Sequence, residues 1–292
     1  MHKAGFINII GNPNVGKSTL MNCLVGEKLS IITSKAQTTR HRILGIVNGE
    51  NFQLIISDTP GIIKPSYELQ NSMMDFVKSA LEDADVLLYM VEIGEKSIKD
   101  SEVHKKILSA KIPTLILLNK IDLSNQEQSE NEINKWSKMY PDCDIYPISA
   151  LNNFNIEKVI NRIIELIPES PPYFSKDQLT DKPERFFVNE KLREKILLYY
   201  DKEIPYSVEV VTDEFKEEES IIKIRSQILV ERESQKGIII GHKGVALKKI
   251  GTKARIDLER FFGKKVFIEL HVKVSKNWRS NSSQLKKFGY KQ

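Results

Sequence analysis

Gly11-Asn12-Pro13-Asn14-Val15-Gly16-Lys17-Ser18 is a complete G-x-x-x-x-G-K-S, set between the apolar run Phe6–Ile10 and a helical stretch that takes in Thr19. A strand before and a helix after are the setting in which this pattern binds phosphate. Its two glycines let the backbone fold tightly, so that successive N–H groups point inward and cradle an anion. Lys17 brings a point charge to the β- and γ-phosphates of a nucleotide, and the Ser18 hydroxyl suits Mg²⁺. A Gly-rich turn matching by chance would not carry a strand on one side and a helix on the other.

Outward from this loop, residues 4–167 alternate strand and helix. Apolar runs recur at Ile43–Val47, Phe52–Ile56, Val86–Val91, Thr114–Leu118 and Ile145–Ile148. Near-continuous apolar strands separated by helices predict a sheet covered on both faces. Ile43–Val47 and Phe52–Ile56 are joined only by Asn48-Gly49-Glu50-Asn51, too short for a crossover. The expected fold class is therefore α/β, a mostly parallel sheet with one antiparallel edge strand. The last helix is predicted from about Asn155 to Ile167, stopped by Pro168.

Three more segments end strands in the right order. Asp58-Thr59-Pro60-Gly61-Ile62 closes the third strand, with Asp58 placed to hold Mg²⁺ through water and the Gly61 N–H to sense a γ-phosphate. Asn119-Lys120-Ile121-Asp122 follows Thr114–Leu118; a carboxylate there accepts from the N1 and N2 hydrogens of guanine, a pair that adenine lacks. Ser149-Ala150-Leu151 follows the last strand and offers a backbone N–H to the guanine O6. Each alone could be an ordinary turn; four in chain order point to a GTP site. Gln37-Thr38-Thr39-Arg40 lies in the loop before the second strand, and Thr39 is the threonine expected to complete the Mg²⁺ shell. Lys17, Thr39 and Gly61 are the expected catalytic groups.

After residue 168 the texture changes. Pro168, Pro171, Pro172 and Pro183 fall within sixteen residues, marking 169–183 as a linker. Residues 184–275 restart with Val188, Leu192, Ile196 and Tyr200 on one helical face. Strands are predicted at Tyr206–Val211 and Ile221–Val230, around an acidic turn at Asp213–Glu219. Ile238–Phe262 reads as helix, glycine loop, helix, and Val266, Ile268, Leu270, Val272 and Val274 alternate as a half-buried strand. Residues 276–292 form a basic tail whose Trp278, Phe288 and Tyr290 could stack on bases or pack back on the domain.

Charge sets one end of the chain apart from the rest. The 292 residues carry 44 Lys and Arg against 39 Asp and Glu, a net of +5, yet residues 236–292 hold 15 against 3, a net of +12. That end is built to meet polyanions. The length exceeds the roughly 250 residues a single core reaches. Two cysteines cannot make a disulfide framework, so a reducing, cytoplasmic setting is expected. No apolar run nears the roughly 18 residues of a membrane span, and the N-terminus leaves no room for a signal peptide. The five histidines show no metal-ligand spacing, and no zinc is expected.

With the motifs in place, the first domain resembles the translation-factor-type P-loop GTPases, and Thr38-Thr39-Arg40 with Asn14-Val15-Gly16-Lys17-Ser18 narrows the resemblance to bacterial GTPases of the Era type. Ile239-Ile240-Gly241-His242-Lys243-Gly244-Val245-Ala246-Leu247-Lys248-Lys249-Ile250 is similar to the signature of a KH RNA-binding domain, and the order helix–strand–strand–helix–helix–strand is that of its type II form. In such a domain Gly241-His242-Lys243-Gly244 brings backbone and Lys243 to the phosphates of a single strand. The bases would lie beside Ile239, Ile240 and Leu247, with Lys236, Lys248 and Lys249 as electrostatic background.

The resemblance covers essentially the whole chain. It implies a slow, Mg²⁺-dependent GTPase, a monomer, that binds 16S ribosomal RNA near its 3′ end. It further implies help in maturing that RNA and the 30S subunit, and peripheral association with the inner membrane surface. Ile62 stands where many GTPases carry a water-orienting glutamine, and in the subgroup lacking it the asparagine matching Asn14 helps hold K⁺. Two other readings stay open at this stage: an RNA-modification GTPase whose chemistry lies in a partner, and an RNA-binding module whose nucleotide is bound but not turned over.

Overall fold

The computed structural model describes residues 1–95, 105 and 112–291. Residues 1–66 and 70–181 form one compact unit, and Tyr67–Leu69 with Lys182–Gln292 form another.

The first unit is a six-stranded sheet in the order β2-β3-β1-β4-β5-β6. Its strands are β1 (Lys3–Ile10), β2 (Ile43–Asn48), β3 (Phe52–Asp58), β4 (Val86–Glu92), β5 (Thr114–Asn119) and β6 (Asp144–Pro147). β2 is the antiparallel edge strand; the other pairings are parallel. Helices α1 (Lys17–Val25), α2 (Glu68–Glu82), α3 (Gln126–Met139) and α4 (Ile156–Leu166) complete its named elements. The strands are buried because both faces are covered: Ile7, Ile9, Leu88 and Leu117 have no exposed surface. α1 starts directly at the left-handed Gly16 and stops at the left-handed Gly26. α3 opens with a capping box between Asn125 and Gln128.

The stretch expected to be a linker is tied to the first unit as far as residue 181. Gln53, fully buried on β3, accepts from the Tyr173 and Phe174 amides at 2.8 and 2.9 Å and donates to the Phe174 carbonyl at 2.8 Å. Farther on, the Ile46 amide donates to the Leu179 carbonyl, and Thr180 bridges Gly45. Prolines remove donors but leave carbonyls, so a Pro-rich stretch can lie against an edge strand that supplies the N–H groups.

The second unit packs α5 (Glu184–Tyr199), α6 (Glu233–Ile240) and α7 (Val245–Phe262) with a sheet ordered β7-β8-β9. Its core includes Val188, Leu192, Ile228, Ile250 and Leu258. The acidic turn expected at Asp213–Glu219 is mostly strand, since β7 runs Glu209–Glu217 against β8 (Ile221–Val230). A register irregularity between Thr212 and Glu214 breaks the alternation that sequence reading relies on. The acidic side chains beyond it meet cations, as with Glu214 and Arg225 at 3.2 Å. β9 (Lys265–Val274) lies parallel to β8. The tail packs back: Trp278, Leu285 and Tyr290 are buried, Trp278 Nε1 donates to the Ser207 carbonyl at 2.9 Å, and the Tyr290 hydroxyl donates to Glu209 at 2.7 Å. A short helix α8 (Ser282–Lys287) carries Leu285 inward.

Candidate functional site

The loop from Gly11 to Ser18 is held in a form that only glycine permits at two points. Gly11 has φ +155°, and a Cβ there would sit 2.2 Å from the Met90 carbonyl oxygen; at Gly16, φ +103°, it would sit 2.3 Å from Asn119 Nδ2. Gly61 approaches the same loop, and a Cβ on it would lie 2.8 Å from Pro13 Cα. The loop, Thr19, the segment Ile31–Lys35, Thr38, Thr39 and Lys120 line a cleft of about 460 Å³.

Lys17 Nζ donates to the Gly11 and Asn12 carbonyls at 3.1 and 2.9 Å. Burial lowers its pKa to about 8, against the opposing pull of Asp58 and Glu95. Ser18, Thr39 and Asp58 converge beside it. Ser18 Oγ lies 2.7 Å from Asp58 Oδ2 and 2.9 Å from Thr39 Oγ1, and Thr39 lies 3.3 Å from the same carboxylate. Thr38 turns elsewhere, donating to the Lys35 carbonyl at 2.6 Å, so the fold brings the second threonine to the cluster. Burial pushes the Asp58 carboxyl up, while Lys17 and the hydroxyls pull it back. Asp58 Oδ1 is buried with no hydrogen-bond partner. Two hydroxyls and a carboxylate with one orphaned oxygen fit a hard divalent cation of the Mg²⁺ kind, with Asp58 reaching it through water.

At the base end Asn119 is the tie. Its Nδ2 donates to the Val15 carbonyl at 2.7 Å and its Oδ1 accepts from the Ala150 amide at 2.9 Å. It thereby links the phosphate loop to the Ser149-Ala150-Leu151 turn. Lys120, left-handed at φ +66°, starts the short helical turn that carries the exposed Asp122, and the Ile121 amide bonds the Ile148 carbonyl. Ser149 and Ala150 are buried, whereas the Leu151 side chain is exposed. Thr59 Oγ1 donates to the Ile9 carbonyl at 2.7 Å, and Pro60 is buried next to it.

Ile62, which follows Gly61 and is among the residues expected to bind nucleotide, turns its side chain away from the cleft. Its side chain is fully buried in the core with Ile10 and Met74, and its amide bonds the Gly11 carbonyl. An apolar side chain at a strand end gains more from burial than from facing a polar cleft. Glu95 is a residue the sequence reading missed: it accepts from Asn12 in the phosphate loop and from the Glu92 amide at 3.0 Å. It lies past the end of an apolar strand in an unremarkable charged stretch, so no pattern marks it. Ile31 and Ile32 were also missed, for want of any motif around them.

In the second unit, Gly241 (φ +70°) and Gly244 (φ +76°) bracket the exposed His242 and Lys243 between α6 and α7. A groove of about 430 Å³ opens beside this loop. One wall is Gly244 with Leu247, Lys248, Gly251, Thr252 and Arg255 on α7; the other wall is Phe267, Ile268 and Leu270 on β9. Gly251 matters because a Cβ there would come within 3.2 Å of Leu270 and narrow the groove. Two expected lining residues move elsewhere. Ile239 is fully buried in the core, and Ile240 packs against that core from α6. Lys249 extends over the Tyr199 ring, its Nζ 4.3 Å from the centroid, on the α5 side of α7 and off the groove. Lys236 is half-buried on α6. Among the described residues, no helix is long and apolar enough to cross a membrane.

Comparison with known proteins agrees with both sites. A family described as a 50S ribosome-binding GTPase matches residues 6–120, and the KH domain family matches residues 203–279. GTPase Era of Syntrophus aciditrophicus is 46% identical over 99% of this chain and 96% of its own. GTPase Era of Geotalea uraniireducens is 45% identical over 99% and 98%. Two crystal structures of Era, each 39% identical, superpose with a TM-score of 0.95. One holds MgGDPNP and nucleotides 1506–1542 of 16S ribosomal RNA and matches 100% of both chains. The other, from Aquifex aeolicus, is a point variant bound to GDP and aluminium fluoride, matching 99% of this chain and 100% of its own.

Proposed function

The chain belongs to the GTPase Era family, and on that premise we propose that it is a GTP-hydrolysing switch that binds the 3′ region of 16S ribosomal RNA and assists assembly of the small ribosomal subunit. The observation that carries the reading is the convergence of Ser18, Thr39 and Asp58 beside Lys17, in a chain that also presents a G-x-x-G loop on an open groove. The family described for residues 6–120 is named after the 50S particle, but the Era relative that carries RNA carries 16S, the RNA of the small subunit.

Water attacks the γ-phosphorus, the bond to the bridging oxygen breaks, and GDP leaves with inorganic phosphate. Lys17 and the loop amides hold the phosphates, and the Gly61 amide faces the γ-phosphate side. Ser18, Thr39 and, through water, Asp58 would hold Mg²⁺, which would supply positive charge against the phosphates. Thr39 is the link to switching: its loop is held over the site while the γ-phosphate is present and is released after hydrolysis. Because Ile62 is committed to the core, that position orients no water, and intrinsic turnover is slow. Asn14, whose Nδ2 donates to the Ser34 carbonyl at 2.9 Å, would keep its Oδ1 for K⁺, which would supply part of the missing charge. Equal turnover in K⁺ and Na⁺ buffers would remove that element. A monomeric state and peripheral contact with the inner membrane surface complete the proposal; mass photometry and flotation with anionic vesicles test them.

The deciding experiment is multiple-turnover phosphate release with and without single-stranded RNA from the 3′ end of 16S ribosomal RNA. Wild type is compared with Lys17→Ala and with His242→Asp/Lys243→Asp. Stimulation by RNA that the loop variant loses supports one coupled switch. Turnover indifferent to RNA makes the two sites independent, and no turnover at all leaves a nucleotide that is merely structural.

A further inference from the structure

We propose that Phe267 is a base-stacking platform that closes the far end of the RNA groove, away from the G-x-x-G loop. The inference rests on the reading of that groove as the RNA site. Phe267 is 56% exposed on β9 although it is a large aromatic side chain in a folded sheet. Its neighbours in the alternating pattern, Val266 and Ile268, turn toward the core, so its exposure follows from register and not from looseness.

Position gives the exposed ring a use. The turn from α7 to β9 is short, so Phe267, near the start of β9, lies toward the end of the helix wall that Arg255 occupies. From Gly244 to Arg255 the helix rises about 16 Å at roughly 1.5 Å per residue. That length suits the few nucleotides that a G-x-x-G loop clamps by their backbone. β9 is an edge strand of its sheet, and the Phe267 ring borders both the groove and the outer face of the sheet.

Charge names the occupant. On the groove side Lys248 and Arg255 are cationic, and the segment from 236 to 292 carries a net +12. On the other side of the ring lie Glu214, Lys223, Arg225 and Glu269, two acids and two bases that cancel, with Arg225 meeting Glu214 and Glu269 at 3.2 Å each. Arg255 is itself paired with Glu259 at 2.7 Å, so the net positive charge beside the ring rests on Lys248, on the groove side. A π-face next to a cationic groove suits a nucleobase whose phosphate runs along α7, and stacking tolerates any base. An apolar protein segment would use the ring but not the cations.

The probe is single-stranded RNA with the sequence of the 16S 3′ end, used whole and with single abasic positions. Phe267→Ala and Phe267→Leu should weaken binding of the whole strand by about tenfold to a hundredfold, while Phe267→Tyr retains it. On the strand that is abasic at the stacked position, wild type and Phe267→Ala should bind alike. A Phe267→Trp variant should lose fluorescence on binding the whole strand and not that abasic one. Unchanged thermal unfolding of Phe267→Leu guards against misfolding. His242→Asp/Lys243→Asp separates the two levels, because it keeps both glycines in place. If it abolishes binding while all Phe267 variants bind as wild type, the stacking role is wrong and the groove reading stands. If the loop variant also binds as wild type, the groove reading falls with it. Equal loss on whole and abasic strands would make Phe267 a packing residue and overturn the proposal.

Discussion

Lys17 shows what a single buried charge costs and what it gains. Among protein groups alone its pKa is about 8, below the ordinary lysine value of roughly 10.4, because burial removes water that two carbonyls replace only in part. The sign follows: between those two values the unfolded chain holds more proton than the folded one, so this group adds stability as pH rises through that window and costs stability below it. Nucleotide phosphates favour the charged form, so GTP affinity is full below about pH 8 and weakens above it. Calorimetry at about pH 8.5, in two buffers of different ionisation enthalpy, should record proton uptake on binding. No uptake would mean that Lys17 is already fully charged. Asp122 carries a second test. Asp122→Asn turns an acceptor into a donor, so GTP should weaken by at least about a hundredfold, since two charge-assisted bonds are lost. Xanthosine triphosphate, with an acceptor at that edge, should improve in competition binding. Both residues were legible because their motifs name the chemistry. Glu95 was not, since its bond to Asn12 depends on a fold that brings two distant strand ends together.

The elements show where composition misleads. A cluster of prolines marks a stretch without regular structure, which is not the same as a free one. Gln53 is the reason: within β3 it satisfies both ends of its amide, donating to Asn48 as well as to Phe174. Gln53→Leu keeps the volume but orphans two amides and a carbonyl of residues 173–174, each costing about 1–3 kcal/mol if it stays buried. The first unit should lose several kcal/mol in urea unfolding, and proteolysis should begin near Tyr173. Resistance equal to wild type would show that the prolines alone hold the strap. The tail is the converse case. Its aromatics were compatible with RNA or with packing, and sequence could not choose because both uses need an aromatic beside a cation. Burial of Trp278 and the Tyr290–Glu209 bond choose packing. Trp278→Ala should cost about 3–5 kcal/mol in the second unit. A loss under about 1 kcal/mol, with weaker RNA binding, would restore the stacking reading.

Across the whole molecule the charges are sorted by ligand. Both units bind polyanions, yet residues 1–181 carry a net of −4 and residues 182–292 a net of +9, with +12 in 236–292. The nucleotide site does not need a basic surface, because backbone amides and one buried lysine meet the phosphates at close range, where salt screens little. The RNA surface works the other way, with exposed Lys243 and Lys248 meeting a flexible strand and releasing its counterions. For about four phosphates on a single strand, log affinity should fall against log salt with a slope of about −3, roughly −0.7 for each contact. Lys248→Ala should flatten that slope by about one contact. Lys249→Ala, which removes a charge already engaged over Tyr199, should change it less. Filter binding across a salt series, alongside a titration of GTP analogue over the same range, reads both sites at once. If the two affinities fell with equal steepness, the acidic first unit would be drawing on the same long-range field as the second. The sorting of charge along the chain would then say nothing about which ligand goes where.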